Sequence, residues 1–377
     1  MKSLRGPQGS KVTVGIVRGS AAPFDVVIQR GEIPIHSVAA AILEPDGTGY
    51  IRLSRFARTT HEEFQQAAQD LLGQGMQRLV LDLRGNGGGY LNAAVGICEE
   101  LLPKGRMIVY TEGRSSPRKE FISGGRGMLM DLPVAVLIDE GSASASEIVA
   151  GAVQDNDRGL LYGRRTFGKG LVQEHLELPD HSAVRLTTAR YYTPSGRSIQ
   201  RPYGEGVAYE DDFNERYEHG ELMHADSVRP DSAHMYSTLA GRTVFGGGGI
   251  MPDVFIAADT VDRSPYLSKL FFSGSINRAA FQVVDRERDR LLRFGDPVAF
   301  TDRFAVDERL LSTLVKVGEE DGVPRDEAGL QRSRKALADR LKATIARNLW
   351  RDKGYYTVIL RDDPMYLRAR KELLTPQ

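Results

Sequence analysis

Cysteine is almost missing from this sequence: Cys98 is the only one in 377 residues. A disulfide framework and a cysteine-rich metal site are both excluded, and the apolar run AAVGICEELL around Cys98 reads as the setting of a packed core thiol. Long hydrophobic runs are missing as well. VAVLI at 134–138 has the length of a buried strand, far short of the ~18 consecutive apolar residues of a membrane-spanning helix. Nor is there an excess of charge of one sign. Lys+Arg and Asp+Glu both number 50, for a formal net charge of zero, so no global basic field draws nucleic acid or an anionic membrane. The opening residues, MKSLRGPQGSKVTV, include basic side chains but no apolar stretch behind them, and a secretory leader is not expected within the chain. What is there is an ordinary globular composition, 41% hydrophobic and 27% charged, in a chain long enough for roughly two or three domains.

KVTVGIV at 11–17 and DVVIQ at 25–29 are short β-branched runs around a turn region and predict a hairpin. From about 32 to 200, strand-like and helix-like patterns alternate. SVAAAILE and TGYIRLSRF read as strands. Thr60, with Glu63 three residues on, has the spacing of a capping box and opens a helix. Its apolar Phe64, Ala67, Ala68, Leu71 and Leu72 keep a helical period until Gly73 to Gly75 stop it. RLVLDLR (78–84), MIVYTE and VAVLIDE follow as strands, with LNAAVGICEELL as a helix between the first two. This alternation predicts an α/β sheet. Residues 203–240 are polar, without clear period, and read as a surface insertion before GGGG at 246–249 turns into IMPDV. From about 258 onward INRAAFQVVDRERDRLLRF, DERLLSTLVKVGEEDG and GLQRSRKALADRLKATIARNLW are amphipathic and predict a separate helical domain. Acids are interspersed among their basic positions, as on a solvated helix surface.

Two stretches carry chemistry. GRRTFGKG, 163–170, sets Gly163, Gly168 and Lys169 in the register of a phosphate-binding loop, but Gly170 stands where the magnesium-binding hydroxyl belongs. LVQEHLELPD after it alternates like a strand, whereas a phosphate loop opens a helix. The second stretch, DEGSASASEIVAGAVQDN at 139–156, ends a buried strand in Gly141 and begins a helix among Ser142, Ser144 and Ser146. A hydroxyl at a helix N-terminus sits where developing negative charge is best stabilised. Ser144 and Glu147 also have capping-box spacing, so the residues alone leave two readings of Ser144 open, helix cap and nucleophile. A nucleophilic serine needs a base. Of His36, His61, His175, His181, His219, His224 and His234, only His175, in the strand after Lys169, rivals the lysine. A lysine can serve as base where burial strips its ammonium of hydration and lowers its pKa. Lys169, between two glycines and behind Phe167, fits a Ser–Lys hydrolase.

The combination of GSASASEIVAGAVQDNDRG with YGRRTFGKGLVQ resembles the C-terminal processing peptidases, the tail-specific proteases of bacteria and plastids in peptidase family S41. The resemblance implies Ser144 as nucleophile, Lys169 as the general base that takes its proton, Gln173 as the residue orienting the lysine, and Asp155, inside QDN, as a supporting polar residue. LVLDLRGNGGGY at 79–90 resembles another family hallmark and implies that the backbone N–H groups of Gly89 and Ala145 hold the tetrahedral oxyanion. RLTTARYYTPSGRSIQ (185–200) and GIMPDV (249–254) are similar to further family segments, the first as a strand beside the cleft whose TTARYY is placed to pair with an extended substrate.

By the same resemblance the fold is an α/β core related to the crotonase and Clp protease class, a spiral of ββα units. The organisation it implies is 1–31 as the closing strands of a PDZ domain, 32–257 as the protease core and 258–377 as a helical C-terminal domain similar to the extension of Bacteroidetes-type members. About thirty residues are too few for an independent PDZ core, so that domain is expected to be truncated in this chain. The implied function is a serine endopeptidase acting on polypeptides that enter by their C-terminal ends, in the periplasm or cell envelope of a bacterium. No metal or organic cofactor is called for, because base, nucleophile and oxyanion donors are all side chain or backbone. No nucleic acid and no stable membrane insertion are expected, and self-association into a homo-oligomer stays open. The alternative from another class is a catalytically silent module of the same fold that binds peptide tails.

The lysine separates the chemical readings. Lys169→Arg keeps the charge but cannot release a proton, so a Ser–Lys peptidase carrying it is as inactive as Lys169→Ala. A phosphate-binding loop would keep part of its function in the arginine variant and gain thermal stability from ATP with magnesium. Proteolysis by the arginine variant, or an ATP-dependent rise in melting temperature, rules the Ser–Lys reading out.

Overall fold

The structure, a computed structural model, describes residues 3–18, 21–33, 35–202, 211–227, 234–260 and 262–375, without the side chains of residues 175 and 211–213. The chain divides into two units, Met1–His36 and Ser37–Gln377. The first is the expected hairpin: β1 (Lys11–Ile16) pairs antiparallel with β2 (Phe24–Gln29), Lys11 opposite Gln29 and Ile16 opposite Phe24. Arg30 ties the preceding segment to it, donating from Nε to the Leu4 carbonyl at 2.8 Å and from Nη1 to Ser10 Oγ at 2.9 Å. None of the described residues of this unit is buried, as expected of two strands, which cannot enclose a core.

The second unit runs β3 (Val38–Leu43), β4 (Thr48–Leu53), α1 (Thr60–Gly73), β5 (Arg78–Asp82), α2 (Leu91–Leu101), β6 (Met107–Gly113), β7 (Ser116–Ile122), β8 (Val134–Ile138), α3 (Ala145–Asp155), β9 (Leu160–Gly163), β10 (Leu171–Glu177), β11 (Ala183–Tyr192), α4 (Asp211–Glu218), β12 (Met235–Ser237), β13 (Thr243–Phe245) and β14 (Val254–Phe255). Helices follow: α5 (Pro265–Phe272), α6 (Ser275–Leu292), α7 (Pro297–Arg303), α8 (Glu308–Glu320), α9 (Glu327–Arg332), α10 (Arg334–Ile359) and α11 (Pro364–Leu374). The strands form a six-stranded sheet in the order β14-β9-β8-β5-β4-β3, parallel except for β3, a four-stranded antiparallel sheet, β10-β11-β6-β7, and an antiparallel pair, β12-β13. The fold is thus mixed α/β with a C-terminal helical region.

Both faces of the six-stranded sheet are covered, which is why RLVLD and VAVLI are apolar without alternation. Leu79, Leu81, Val134, Val136 and Ile138 pack into a core with Ala68 of α1, Ile97 of α2 and Val149 of α3. Cys98 lies in the same core, its thiol pushed up by burial. The intervening Val80, Ala135 and Leu137 face Leu360, Met365, Tyr366 and Ala369 from the end of the chain. Helices α5 to α10 share a core of their own around Leu270, Phe300, Leu314 and Leu341.

Several details depart from the sequence reading. The N-cap of α1 is Thr59 rather than Thr60. Thr60 Oγ1 donates to Ser37 Oγ at 2.6 Å, and the Glu63 carboxylate accepts the Ser37 N–H at 2.7 Å. These residues fasten the entry of β3 to the helix instead of closing a capping box. Strands β7 and β9 escape the apolar pattern because β7, SPRKEFI, is mostly exposed and β9 has only 4 residues. The stretch 203–240 is more than surface: Arg216 of α4 is buried and donates to the carbonyls of Arg165 at 2.7 Å and Thr166 at 3.1 Å, bracing the segment before Lys169. Residues 203–210 and 228–233 of that stretch lie outside the described residues.

LVLDLR is the joint between the sheet and the last helix. Fully buried Asp82 accepts from Tyr50 Oη at 2.7 Å, Arg84 Nη2 at 2.6 Å and Arg52 Nη1 at 2.7 Å. Burial alone would raise its carboxyl, but the Arg84 and Arg52 guanidiniums override it and hold Asp82 well below the usual carboxylate range. Arg84 also reaches Asp363 at 2.7 Å, and Asp363 caps α11 by accepting the N–H groups of Met365 and Tyr366, both at 3.0 Å. Asp363→Ala is expected to cost about 3 kcal/mol in urea unfolding, about 1 from the lost cap and the rest from leaving Arg84 short of a partner. A loss no larger than the cap alone would show that α11 docks through its apolar side chains only.

Candidate active site

The loops after β5 and β8 meet at the C-terminal ends of parallel strands, where open α/β sheets place their ligands. Asn86, buried in the first loop, donates from Nδ2 to the Leu53 carbonyl at 3.0 Å and accepts the Gly88 N–H at 2.9 Å. Its carbonyl accepts the Ala143 N–H at 3.0 Å and the Ser146 hydroxyl at 2.8 Å, crossing to the second loop. The Ser142 hydroxyl is spent in the same way, on the Leu83 carbonyl at 2.9 Å. Both outer serines are therefore structural. Ser144 is different: it takes φ 55° and ψ −111° at the N-cap of α3, a strained conformation for a residue with a Cβ, and it forms a capping box with Glu147. In that box the Glu147 carboxylate accepts the Ser144 N–H at 2.8 Å. Cap and candidate nucleophile are thus not exclusive in one residue, because Glu147 holds the Ser144 backbone N–H independently of the hydroxyl.

The same carboxylate holds the lysine segment. Glu147, fully buried, also accepts from Thr166 Oγ1 at 2.6 Å and from the N–H groups of Gly168 at 2.7 Å and Lys169 at 2.9 Å. The Gly170 N–H donates to Gln200 Oε1 at 2.8 Å, and the Gly168 carbonyl accepts the Arg201 N–H at 3.0 Å. The carbonyls of Lys169 and Gly170 are taken by the hydroxyl and the N–H of Tyr191. Every backbone polar group of 168–170 is satisfied. Gly168 has φ 85°, and a Cβ there would stand 3.1 Å from the Gly249 nitrogen, so glycine is what lets the chain bend before the lysine. Strand β10 follows, not the helix a phosphate loop requires. Burial pushes the Glu147 carboxyl up in spite of its hydrogen bonds, and no charged partner among the described residues offsets it.

Ser144, Lys169 and Gln173 line one cleft of about 470 Å³, together with Gly89, Ile148, Leu171 and Tyr191. Gly89 has φ 150°, and a Cβ there would lie 2.0 Å from the Phe56 carbonyl oxygen; one at Gly88 would lie 2.8 Å from the Ala145 nitrogen. The two loops are thus in backbone contact. Among the described residues neither the Gly89 nor the Ala145 N–H has a protein acceptor. They are open donors beside a helix N-terminus, suited to an anionic oxygen.

Gln173 sits at a bulge in β10 with Nε2 3.5 Å from Thr187 Oγ1, sharing the cleft with Lys169 without a hydrogen bond to it. Asp155, buried at the end of α3, accepts from the Ser195 N–H at 3.0 Å, the Ser195 hydroxyl at 2.7 Å and Arg197 Nη2 at 2.7 Å, and so pins the 193–197 turn. Among the described residues no histidine side chain lines the cleft; the His175 side chain lies outside the description. TTARYY belongs to β11, which pairs with β10 along Ala183–Arg190 and with β6 only at Arg190–Tyr192, and the edge strands of this sheet are β10 and β7. Sequence reasoning missed the site roles of Asn86, Gln200 and Tyr191, which carry no local signal, and saw Glu147 only as a cap.

Residues 47–210 match peptidase family S41, and residues 266–352 match a family of unknown function. The carboxyl-terminal-processing protease of Synechocystis sp. is 40% identical over 202 residues, covering 52% of this chain and 47% of its own. The carboxy-terminal-processing protease of Bartonella bacilliformis is 43% identical over 203 residues, covering 52% of this chain and 46% of its own. The chain thus spans about half the length of the curated relatives it matches. Among solved structures, a photosystem II D1 C-terminal processing protease superposes with a TM-score of 0.42 at 30% identity, covering 68% of this chain and 58% of that one.

Glu147→Gln tests the shared acceptor. An amide turns an N–H₂ towards two of the four donors, so the variant loses roughly 1–3 kcal/mol. Because the folded carboxyl is raised above its unfolded value, its contribution is full below that unfolded value and declines as pH rises through the folded one. The stability gap between wild type and Glu147→Gln, from urea unfolding at stepped pH, therefore narrows as pH rises. A gap that widens with pH would mean that the four hydrogen bonds outweigh burial.

Proposed function

We propose that this chain, which carries a peptidase family S41 domain over residues 47–210, is a serine endopeptidase of the Ser–Lys type. One observation carries the reading: Ser144 and Lys169 line the same cleft, and a single buried carboxylate takes up the backbone N–H of both. In this mechanism Lys169 removes the proton from Ser144 Oγ as the oxygen attacks the scissile carbonyl. The N–H groups of Gly89 and Ala145 receive the oxyanion. Collapse of the tetrahedral intermediate expels the amine, protonated by Lys169, and a water deprotonated by the same lysine then releases the acyl group from Ser144. Gln173, on the cleft wall, is assigned to orienting the lysine, and Asp155 to the scaffold behind it.

The names of the relatives support polypeptide C-terminal tails as substrates, and the compartment assigned on this reading is the periplasm or cell envelope of a bacterium. On this reading 1–31 supplies the closing strands of a PDZ domain, 32–257 the protease core and 258–377 the helical domain. The competing reading, a silent tail-binding module, explains neither a strained serine on the cleft wall nor two open N–H donors beside it.

Unfolded casein and a fluorophosphonate decide between them. The expected outcome is cleavage and labelling of a single peptide spanning 142–146, both abolished in Ser144→Ala. Ser142→Ala and Ser146→Ala lose stability but keep label on the folded fraction. Losing the cap costs only about 1 kcal/mol, too little to silence an enzyme. Casein that is bound but never cut, or label that persists in Ser144→Ala, would refute the assignment.

A further inference from the structure

Glu147 takes up the N–H groups of Ser144 and Lys169; the carbonyl groups of the same two residues share a different partner. The Tyr191 hydroxyl lies 3.1 Å from the Ser144 carbonyl oxygen and hydrogen-bonds the Lys169 carbonyl oxygen. The Ser144 carbonyl already accepts the N–H groups of Glu147 at 2.8 Å and Ile148 at 3.0 Å. The Lys169 carbonyl has no other partner among the described residues, so the one phenolic proton is best used there, with Ser144 as the weaker second acceptor. The ring that carries this hydroxyl is only 2% exposed and stands on a strand whose register is fixed on both sides, Tyr191 opposite Thr111 of β6 and its neighbour Arg190 opposite Leu171 of β10. The Tyr191 N–H donates to the Gly170 carbonyl at 3.0 Å, so backbone and side chain of one residue hold consecutive carbonyls of the lysine segment.

We infer that Tyr191 is a positioning residue of the peptidase site: its hydroxyl, anchored by the sheet, fixes the spacing between the Ser144 turn and the Lys169 backbone. The inference rests on the Ser–Lys reading above. The physical reason is that Glu147 fixes only one side of each peptide unit. A peptide held through its N–H alone can still tilt about that bond, and four side-chain torsions magnify a tilt at Lys169 before it reaches the amine. Closing the carbonyl side removes that freedom. Tyr191 touches no reacting atom in this scheme; it acts through Ser144 and Lys169.

Tyr191→Phe keeps the ring, its packing and the strand register and removes only the hydroxyl. Three readouts are taken on the full chain: kcat and KM on a fluorogenic peptide, the rate of Ser144 labelling by a fluorophosphonate per folded molecule, and the melting temperature. Misplacing a reacting group by about 1 Å costs on the order of a hundredfold. The expected result is therefore a fall in kcat of about tenfold to a hundredfold, with KM within about threefold of wild type, since binding contacts are kept. Labelling should slow by the same factor as kcat, because it needs the same serine and base but no peptide subsite. A purely structural hydroxyl would lower the melting temperature and leave both rates per folded molecule unchanged, and that result overturns the inference; so does a rise in KM with kcat intact. A wild-type chain that neither cleaves nor labels at Ser144 removes the Ser–Lys reading and this inference together. Wild-type labelling matched by Tyr191→Phe removes Tyr191 alone.

Discussion

The site depends on one buried carboxylate that bonds two segments far apart in sequence. Glu147 collects the Ser144 N–H from its own helix and the Gly168 and Lys169 N–H groups from the loop before β10, with the Thr166 hydroxyl as fourth donor. An ionised carboxylate offers about four acceptor positions, and four donors are present. The arrangement is costly, since burial disfavours the charge. If the carboxyl takes a proton it must donate one hydrogen bond, and of its four partners only the Thr166 hydroxyl can receive it. Protonation therefore has a tolerated form, in which Thr166 turns from donor to acceptor and the three backbone contacts survive.

The strain at Ser144 is sustained by the loops around it. A residue with a Cβ at φ 55° and ψ −111° costs about 1–3 kcal/mol. Against that stand the Asn86 carbonyl, which accepts from Ala143 and Ser146 on either side of Ser144, and the Ser142 hydroxyl on the Leu83 carbonyl. The flanking residues are fixed, so the turn between them cannot relax without breaking buried hydrogen bonds. The sheet extends this bracing outward. Arg84, two residues before Asn86, is tied to Asp82 beneath the loop and to Asp363 at the head of α11, which places the chain's last helix in the same polar network as the loop that carries Gly89.

Much of this was legible in the sequence because the informative patterns are local. Apolar runs without alternation announced the doubly covered strands β5 and β8, and the serine-rich turn and the glycine-flanked lysine announced the two halves of the site. What was not legible depends on long-range pairing. Ser144 is joined to Tyr191, and Gly170 to Gln200, across tens of residues with no spacing rule connecting them. Thr60 and Glu63 show the opposite failure: a spacing that fits a local motif was claimed by the tertiary partner Ser37. Polar composition likewise hid Arg216, whose burial makes sense only once Arg165 and Thr166 are beside it.

On the proposed Ser–Lys reading, a lysine base sets a harder positioning problem than a histidine base, and the segment 168–170 is built in a way that suits it. An imidazole can be oriented by a carboxylate and still release its proton, whereas a carboxylate beside an ammonium favours keeping the proton on. Orientation of a catalytic lysine by an ion pair therefore works against its use. Among the described residues Lys169 has no salt-bridge partner within the cleft, and the nearest carboxylate contact runs through its backbone N–H to Glu147. The alternative is to fix the main chain and let packing confine the side chain. That requires every N–H and carbonyl of the flanking peptides to be bonded, and it requires the chain to pass close to its partners, which a Cβ at Gly168 or Gly170 would crowd: the nearest atoms are the Gly249 nitrogen at 3.1 Å and the Gln200 nitrogen at 3.0 Å. On that reading, glycine on both sides of Lys169 serves the chemistry asked of the lysine, because the backbone must do what a counter-ion cannot.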